Sequence, residues 1–281
     1  MEDPRPRLRE RLARRPWSGP SLNRMIPNIL TMMGLVAGLV AIRFAIEGRF
    51  PQAAAFIVAA GVIDGLDGRI ARLLKGTSRF GAEFDSLADF LSFGVAPAMV
   101  LYLWTLNAVG PLGFVPCVMF AVCSSLRLAR FNAASIAEPG APLPAPKPAF
   151  ASNFFTGVPA PAGAGLALFP LFASLAFAEW GWDGMADAFR HPLLAALILL
   201  AVGGLMVSTV PSWSAKRVKV PPALVLPLML AVGGYVAILL AEPWAALAVA
   251  GFIYAGVVVA SVRAYRRMEA EWRAGLTPPA A

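Results

Sequence analysis

The sequence predicts an all-α integral membrane protein with about eight transmembrane helices. Hydrophobic residues make up 58% of the 281 residues and charged residues only 14%. With a mean hydropathy of +0.68, the chain is too apolar for a soluble domain of this length. Charge-free runs recur along it, and most reach the roughly 20 residues that a spanning helix requires. A lipid bilayer is therefore the expected solvent.

The apolar runs place the helices near residues 25–46, 51–74, 82–105, 112–134, 153–178, 192–210, 221–241 and 244–264. One run, from Leu91 to Leu126, is too long for one span, and Asn107 to Pro111 divide it between two helices joined by a tight turn. The resulting organisation is a basic tail over 1–24, a membrane core over 25–220, two additional transmembrane helices over 221–264 and a second tail over 265–281.

The distribution of Lys and Arg predicts the orientation. On this helix assignment one side of the membrane receives 21 of the 24 basic residues, and the other receives only Arg43, Arg49 and Arg190. The positive-inside rule then places both termini in the cytoplasm, as expected of a multi-pass protein of the cytoplasmic membrane. Because the basic residues lie beside apolar runs, the net charge of +8 indicates contact with anionic lipid headgroups and no nucleic acid.

Four carboxylates fall in one short region beside the membrane. Asp64 and Asp67 are three residues apart near the end of the second helix, and Asp85 and Asp89 are four apart near the start of the third. Each spacing puts its pair on one helix face, and the chain reversal between the helices lets the pairs face each other. Converging carboxylates repel unless cations lie between them, and all-oxygen ligands suit Mg²⁺ or Mn²⁺. A set of surface charges balanced by nearby arginines is the alternative.

Residues around the carboxylates have the properties of a phosphate site. Gly68 permits close backbone approach and Arg72 offers a planar guanidinium, while Ser78 lies in the connecting loop.

The run Asp64-Gly65-Leu66-Asp67-Gly68-Arg69-Ile70-Ala71-Arg72, followed by Gly81, Asp85 and Asp89, resembles the signature D-x-x-D-G-x-x-A-R-x8-G-x3-D-x3-D of the CDP-alcohol phosphatidyltransferases. The resemblance implies a six-helix membrane core, usually a homodimer, with a site for divalent metal, two ions in our interpretation, that opens to the cytoplasm. It implies that Asp64, Asp67 and Asp85 bind metal. Asp89 would lie by the metals and act as the base for the acceptor hydroxyl, and Gly68, Arg72 and Ser78 would contact the CDP-lipid. Asn28 and Thr31 share a face of the first helix, where they can meet the cytidine or phosphate of this lipid or pack against another helix.

Further stretches resemble the phosphatidylserine synthase branch of this family, among them Ile26 to Thr31, Ala88 to Pro97 and Arg127 to Asn132. This branch implies transfer of the phosphatidyl group of CDP-diacylglycerol to L-serine, with release of CMP. The serine carboxylate needs cationic or amide partners near Asp89, for which the sequence offers Arg127, Arg130, Asn132 and Lys216. The same arginines and lysine are also typical of basic membrane anchors.

Two other classes of function stay open. A sister enzyme using glycerol 3-phosphate, inositol phosphate or choline would keep the same aspartates with a different acceptor pocket. A cation transporter can also use carboxylates within the membrane, although these cluster at one membrane face. The single histidine, His191, falls on the opposite side and is not available to the cluster, so the expected reaction uses no histidine nucleophile.

Overall fold

The computed structural model describes residues 22–74, 78–135, 154–213 and 221–274, and within them the chain is almost entirely helical. The α-helices are α1 (Leu22–Ile46), α2 (Phe50–Leu73), α3 (Arg79–Asp89), α4 (Ala96–Trp104), α5 (Val115–Ser135), α6 (Ala160–Ala167), α7 (Phe169–Glu179), α8 (Asp183–Phe189), α9 (Pro192–Val207), α10 (Pro222–Ala241) and α11 (Pro243–Arg273). A π-helical segment, Phe90–Val95, joins α3 to α4, and a 3₁₀ segment, Leu106–Phe114, leads into α5. The predicted all-α membrane class is confirmed.

Five of the described helical segments are long and apolar enough to cross a membrane, and two bent helix pairs raise the number to as many as seven. The five are Met25–Ile46, Arg79–Trp104, Leu106–Ala133, Pro222–Ala241 and Pro243–Trp272, and the pairs are α6 with α7 and α8 with α9. The remaining segment of the eight that the sequence predicts is α2, a 24-residue helix. Its last ten residues include Asp64, Asp67, Arg69 and Arg72, which lower its hydropathy.

Helices α1 and α2 form a tight antiparallel hairpin. The turn between them uses Gly48 at a positive φ of 73°, a backbone conformation that glycine adopts without steric cost. Ala41, Ala53, Ala54 and Ala60 have no exposed surface. Small side chains of this kind let helix backbones approach closely, and close packing is what drives helix association in lipid.

Helix α3, the π-helical segment and α4 form one continuous element at the centre of the bundle. Half of the residues in its most apolar stretch are buried. Its π-helical segment packs on α1, where the Ser92 hydroxyl donates to the Gly34 carbonyl at 3.2 Å. The same segment packs on α5, because a Cβ on Gly94 would lie 2.8 Å from the Ser124 hydroxyl. Three helices therefore meet at positions where only small residues fit.

Two short strands correct the helix boundaries expected from the sequence. Residues 153–159 were expected within a helix, but Phe154–Thr156 forms strand β1, which pairs antiparallel with β2, Pro211–Trp213, with Phe155 opposite Ser212. The helix starts only at Ala160, because Gly157 adopts a φ of 78° and Pro159 and Pro161 follow. Proline favours helix starts and disfavours helix interiors.

The last two helices extend the bundle differently. Helix α10 has no buried residue, whereas α11 packs on α7, where Trp244 stacks on Phe172 with ring centroids 6.3 Å apart. The sequence interpretation ended the last helix near 264, but α11 continues to Arg273. An Arg267–Glu271 ion pair at 3.0 Å lies one turn apart on this extension, a spacing that stabilises helices.

Replacing Gly38 with Ala should destabilise the bundle, because the new Cβ would lie 2.7 Å from the Ser92 hydroxyl and 2.9 Å from the Ser92 Cα. Overpacking of this kind typically costs about 1–3 kcal/mol. Thermal unfolding of the detergent-solubilised protein measures the effect. Gly204→Ala is the matched control, because nothing lies within 4 Å of its Cβ position. Equal melting temperatures for the two variants would contradict the proposed contact between α1 and the π-helical segment.

Candidate active site

The four aspartates predicted from the sequence lie together where α2 meets α3. One carboxylate oxygen from each of Asp64, Asp67 and Asp85 lies within 4.8 Å of the others. Asp89 lines the same small recess as these three aspartates. The two helical spacings thus place both pairs on facing surfaces, as the sequence predicts.

No basic side chain in the described residues neutralises this cluster through an ion pair, because the ion pairs there join Arg43 and Arg49 to Glu47 and Arg267 to Glu271. Asp67 is almost fully buried, with 6% of its surface exposed, and the other three are half-buried. Carboxylates at this separation in a poorly solvated site repel strongly. Their oxygens form the donor set that hard divalent cations prefer, so the residues fit a metal site.

Asp67 is held in place by α1. The Thr31 hydroxyl lies 3.0 Å from Oδ2 of Asp67 and 3.1 Å from the carbonyl oxygen of Pro27. Thr31 is itself buried, so its hydroxyl has few alternative partners. This contact fixes the position of one carboxylate oxygen of Asp67.

A cavity of about 180 Å³ opens beside the cluster. All five residues predicted to contact the CDP-lipid line it, together with two of the aspartates: Asn28, Thr31, Gly68, Arg72, Ser78, Asp67 and Asp85. Three helices that are separate in sequence therefore contribute to a single polar recess. This cavity lies next to the predicted metal ligands, since two of them, Asp67 and Asp85, line it.

Two glycines and a capping serine shape this cavity. The Ser78 hydroxyl accepts a hydrogen bond from the Gly81 amide at 2.9 Å and caps the start of α3. A Cβ on Gly81 would lie 2.9 Å from Oδ1 of Asn28, so glycine lets α3 approach α1 without displacing the Asn28 side chain. The Cβ position of Gly68 meets only the Arg72 guanidinium, at 3.7 Å, so that side of the cavity stays open.

The residues predicted to bind serine have different surroundings. Arg127 lies in electrostatic range of Asp89, and its Nε is buried with no hydrogen-bond partner in the structure. The Arg130 guanidinium donates to the carbonyl of Val207, at the end of α9. The Asn132 amide donates to the Ser86 hydroxyl at 3.0 Å, which joins α5 to α3 between Asp85 and Asp89. Lys216 lies outside the described residues.

Tyr254 and Ser124 were not identified from the sequence. Tyr254, on α11, lies in electrostatic range of Arg127, and the Ser124 hydroxyl is buried with no hydrogen-bond partner in the structure. Ser124 precedes Arg127 by three residues and shares its helix face. A tyrosine within an apolar span is the only sequence signal that pointed to Tyr254, because polar groups in membrane helices tend to be functional.

Comparison with known proteins agrees with this geometry. Residues 24–260 match the family model described as CDP-alcohol phosphatidyltransferase. The proteins named CDP-diacylglycerol–serine O-phosphatidyltransferase from Mycobacterium tuberculosis strain H37Rv and Mycobacterium leprae are 41% and 40% identical to the chain, over 71% and 74% of its length. The protein of the same name from Helicobacter pylori strain 26695 is 33% identical over 69% of this chain and 74% of its own length.

The chain covers 64% of the length of the M. tuberculosis protein and 65% of the M. leprae protein. The family match extends over the aspartate cluster, the adjacent cavity and most of α11. The family-typical arrangement of Asp64, Asp67 and Asp85 is present in the structure. The chain therefore belongs to the CDP-alcohol phosphatidyltransferase family.

Proposed function

We propose that the chain transfers the phosphatidyl group of CDP-diacylglycerol to the hydroxyl of L-serine, with release of CMP. The observation that carries this proposal is that Arg127, which does not line the cavity for the CDP-lipid, lies in electrostatic range of Asp89. A cationic group near the carboxylate expected to act as the base suits an acceptor that carries both a carboxylate and a hydroxyl. The names of the mycobacterial and Helicobacter relatives support the same acceptor.

The nucleotide half of the substrate would bind on the α1–α3 side. Arg72 supplies a planar guanidinium for the pyrophosphate, and Asn28 and Thr31 face the same recess. Two divalent cations, Mg²⁺ or Mn²⁺, held by Asp64, Asp67 and Asp85, would neutralise the phosphate charge and align the attacking and leaving oxygens. The cavity of about 420 Å³ between α2, α6 and α11, lined by Val58, Gly61, Phe93 and Tyr254 among others, can accommodate an acyl chain.

The acceptor half would bind on the α5 side. Arg127 would pair with the serine carboxylate, which satisfies its buried Nε. Asp89 would accept the proton of the serine hydroxyl as that oxygen attacks the lipid phosphorus and CMP leaves. No protein nucleophile is required. The distribution of basic residues supports a cytoplasmic opening of this site, in the cytoplasmic membrane, and the family resemblance supports a homodimer.

The acceptor identity can be measured directly. Purified protein supplied with CDP-diacylglycerol and Mg²⁺ or Mn²⁺ should convert labelled L-serine into phosphatidylserine, with no comparable product from glycerol 3-phosphate, inositol phosphate or choline. Separation of the lipid products identifies the acceptor. Efficient transfer to one of the other alcohols, with none to serine, would assign the chain to a sister activity.

Replacing Asp64, Asp67 or Asp85 with Asn should lower turnover by at least about a hundredfold, because each change removes a charge that compensates the metal ions. EDTA should inhibit the wild type to a similar extent. Turnover is measured as CMP release. Asp183→Asn, at the start of α8 and far from the cluster along the chain, is the control and should keep its activity. Metal-independent turnover by an Asn variant would overturn the proposed metal site.

Arg127→Ala should raise the KM for serine by about ten- to a hundredfold, because it removes one charge-assisted hydrogen bond. The KM for CDP-diacylglycerol should change much less, and Arg127→Lys should recover part of the serine affinity. Steady-state kinetics with each substrate varied in turn separates the two effects.

Arg130→Ala is the matched comparison on the same helix face. Because Arg130 binds the Val207 carbonyl, its loss should lower the melting temperature and leave the serine KM close to the wild-type value. Normal serine kinetics in Arg127→Ala would place the acceptor carboxylate elsewhere, and a high serine KM in Arg130→Ala would return that residue to the acceptor site.

A further inference from the structure

A groove of about 400 Å³ runs along α11, apart from the active site. Its apolar wall is formed by Leu166 of α6, Leu205 of α9 and four residues of α11, namely Ala255, Val258, Val259 and Val262. None of the four active-site aspartates lines it. The α11 positions recur at spacings of three and four, so they form one stripe along the helix. This stripe spans roughly 10 Å of helix, enough to contact a substantial part of an acyl chain.

Two arginines close one end of the groove. Arg263 and Arg266 follow the apolar stripe directly and lie on the same face of α11. Both are exposed, and in the described part of the chain neither forms an ion pair. Arg267 differs, because its Nε pairs with Glu271 at 3.0 Å and it does not line the groove.

The end of the groove that carries the two arginines is held in place by contacts between α11 and the strands β1 and β2. The Ser261 hydroxyl donates to the Pro211 carbonyl at 2.8 Å, and the Tyr265 ring packs edge-on against Phe154 with centroids 5.2 Å apart. These contacts anchor α11 on both sides of Arg263. The groove is thus held in shape by the protein before any ligand binds.

We propose that this groove binds an anionic phospholipid, with an acyl chain along the apolar stripe and the headgroup phosphate on Arg263 and Arg266. Arginine beside an apolar surface keeps its guanidinium at the membrane interface, and paired guanidinium groups bind phosphate oxygens through charge-assisted hydrogen bonds. A lipid satisfies both the apolar wall and the unpaired charges, whereas free phosphate satisfies only the charges. The site is independent of the acceptor used in the active site.

The experiment uses the full-length protein and phosphatidylglycerol as the probe. Wild-type protein in phosphatidylcholine nanodiscs containing a small fraction of phosphatidylglycerol is released into the gas phase, and native mass spectrometry counts the retained lipids. We expect selective retention of phosphatidylglycerol over phosphatidylcholine. Arg263→Gln with Arg266→Gln should reduce this selectivity by roughly tenfold or more, since two charge-assisted contacts are lost. Arg267→Gln should leave it unchanged.

A second variant tests the apolar wall with the charges intact. Val259→Trp should fill the groove and displace the retained lipid, and unchanged melting temperatures show that each variant is folded. Equal losses from Arg267→Gln and from the double variant would indicate diffuse attraction to a basic helix end and would overturn the site. Binding of glycerol 3-phosphate in place of the lipid, or a second copy of the chain covering the groove, would overturn the lipid as its occupant.

Discussion

The close approach of four carboxylates within an apolar helix bundle is the constraint on which the rest of the structure depends. Repulsion among Asp64, Asp67, Asp85 and Asp89 pushes α2 and α3 apart unless a cation binds between them. The packing that opposes this separation comes from small residues, with Gly38 against Ser92 and Gly81 against Asn28. A rigid frame of this kind brings the charges together and preserves the geometry for the incoming cation, which is the preorganisation that electrostatic catalysis requires.

The frame also divides the site into two halves with different chemistry. On one side, α1, α2 and α3 form a polar recess with an arginine and several small residues. Outside that recess, α5 brings Arg127 into electrostatic range of Asp89. Under the proposed function, donor and acceptor would therefore use different contacts near the carboxylates. This separation fits a direct displacement, in which donor and acceptor are bound at once.

The sequence predicted the features that depend on local spacing. The three- and four-residue intervals among the aspartates, and the cluster of polar residues around Gly68, were sufficient because helix periodicity alone brings these side chains together. Features that depend on distant contacts could not be predicted. The different surroundings of Arg127 and Arg130 arise because the end of α9 lies within reach of one arginine only. The strand at Phe154–Thr156 was expected to be helical because its apolar side chains fit either structure, and only pairing with Pro211–Trp213 selects the strand.

The π-helical segment Phe90–Val95 has a geometric consequence for the whole third span. A π-helical turn holds one more residue than an α-helical turn, so it offsets the helical phase by about 100°. Residues before this segment and residues after it therefore face different directions from those they would face on one uninterrupted α-helix. Asp85 and Asp89 can point toward the other aspartates while Ala96 and Val100 remain buried in the bundle. The length of this segment thus helps to set the direction of the aspartate side chains, although none of its own residues is charged.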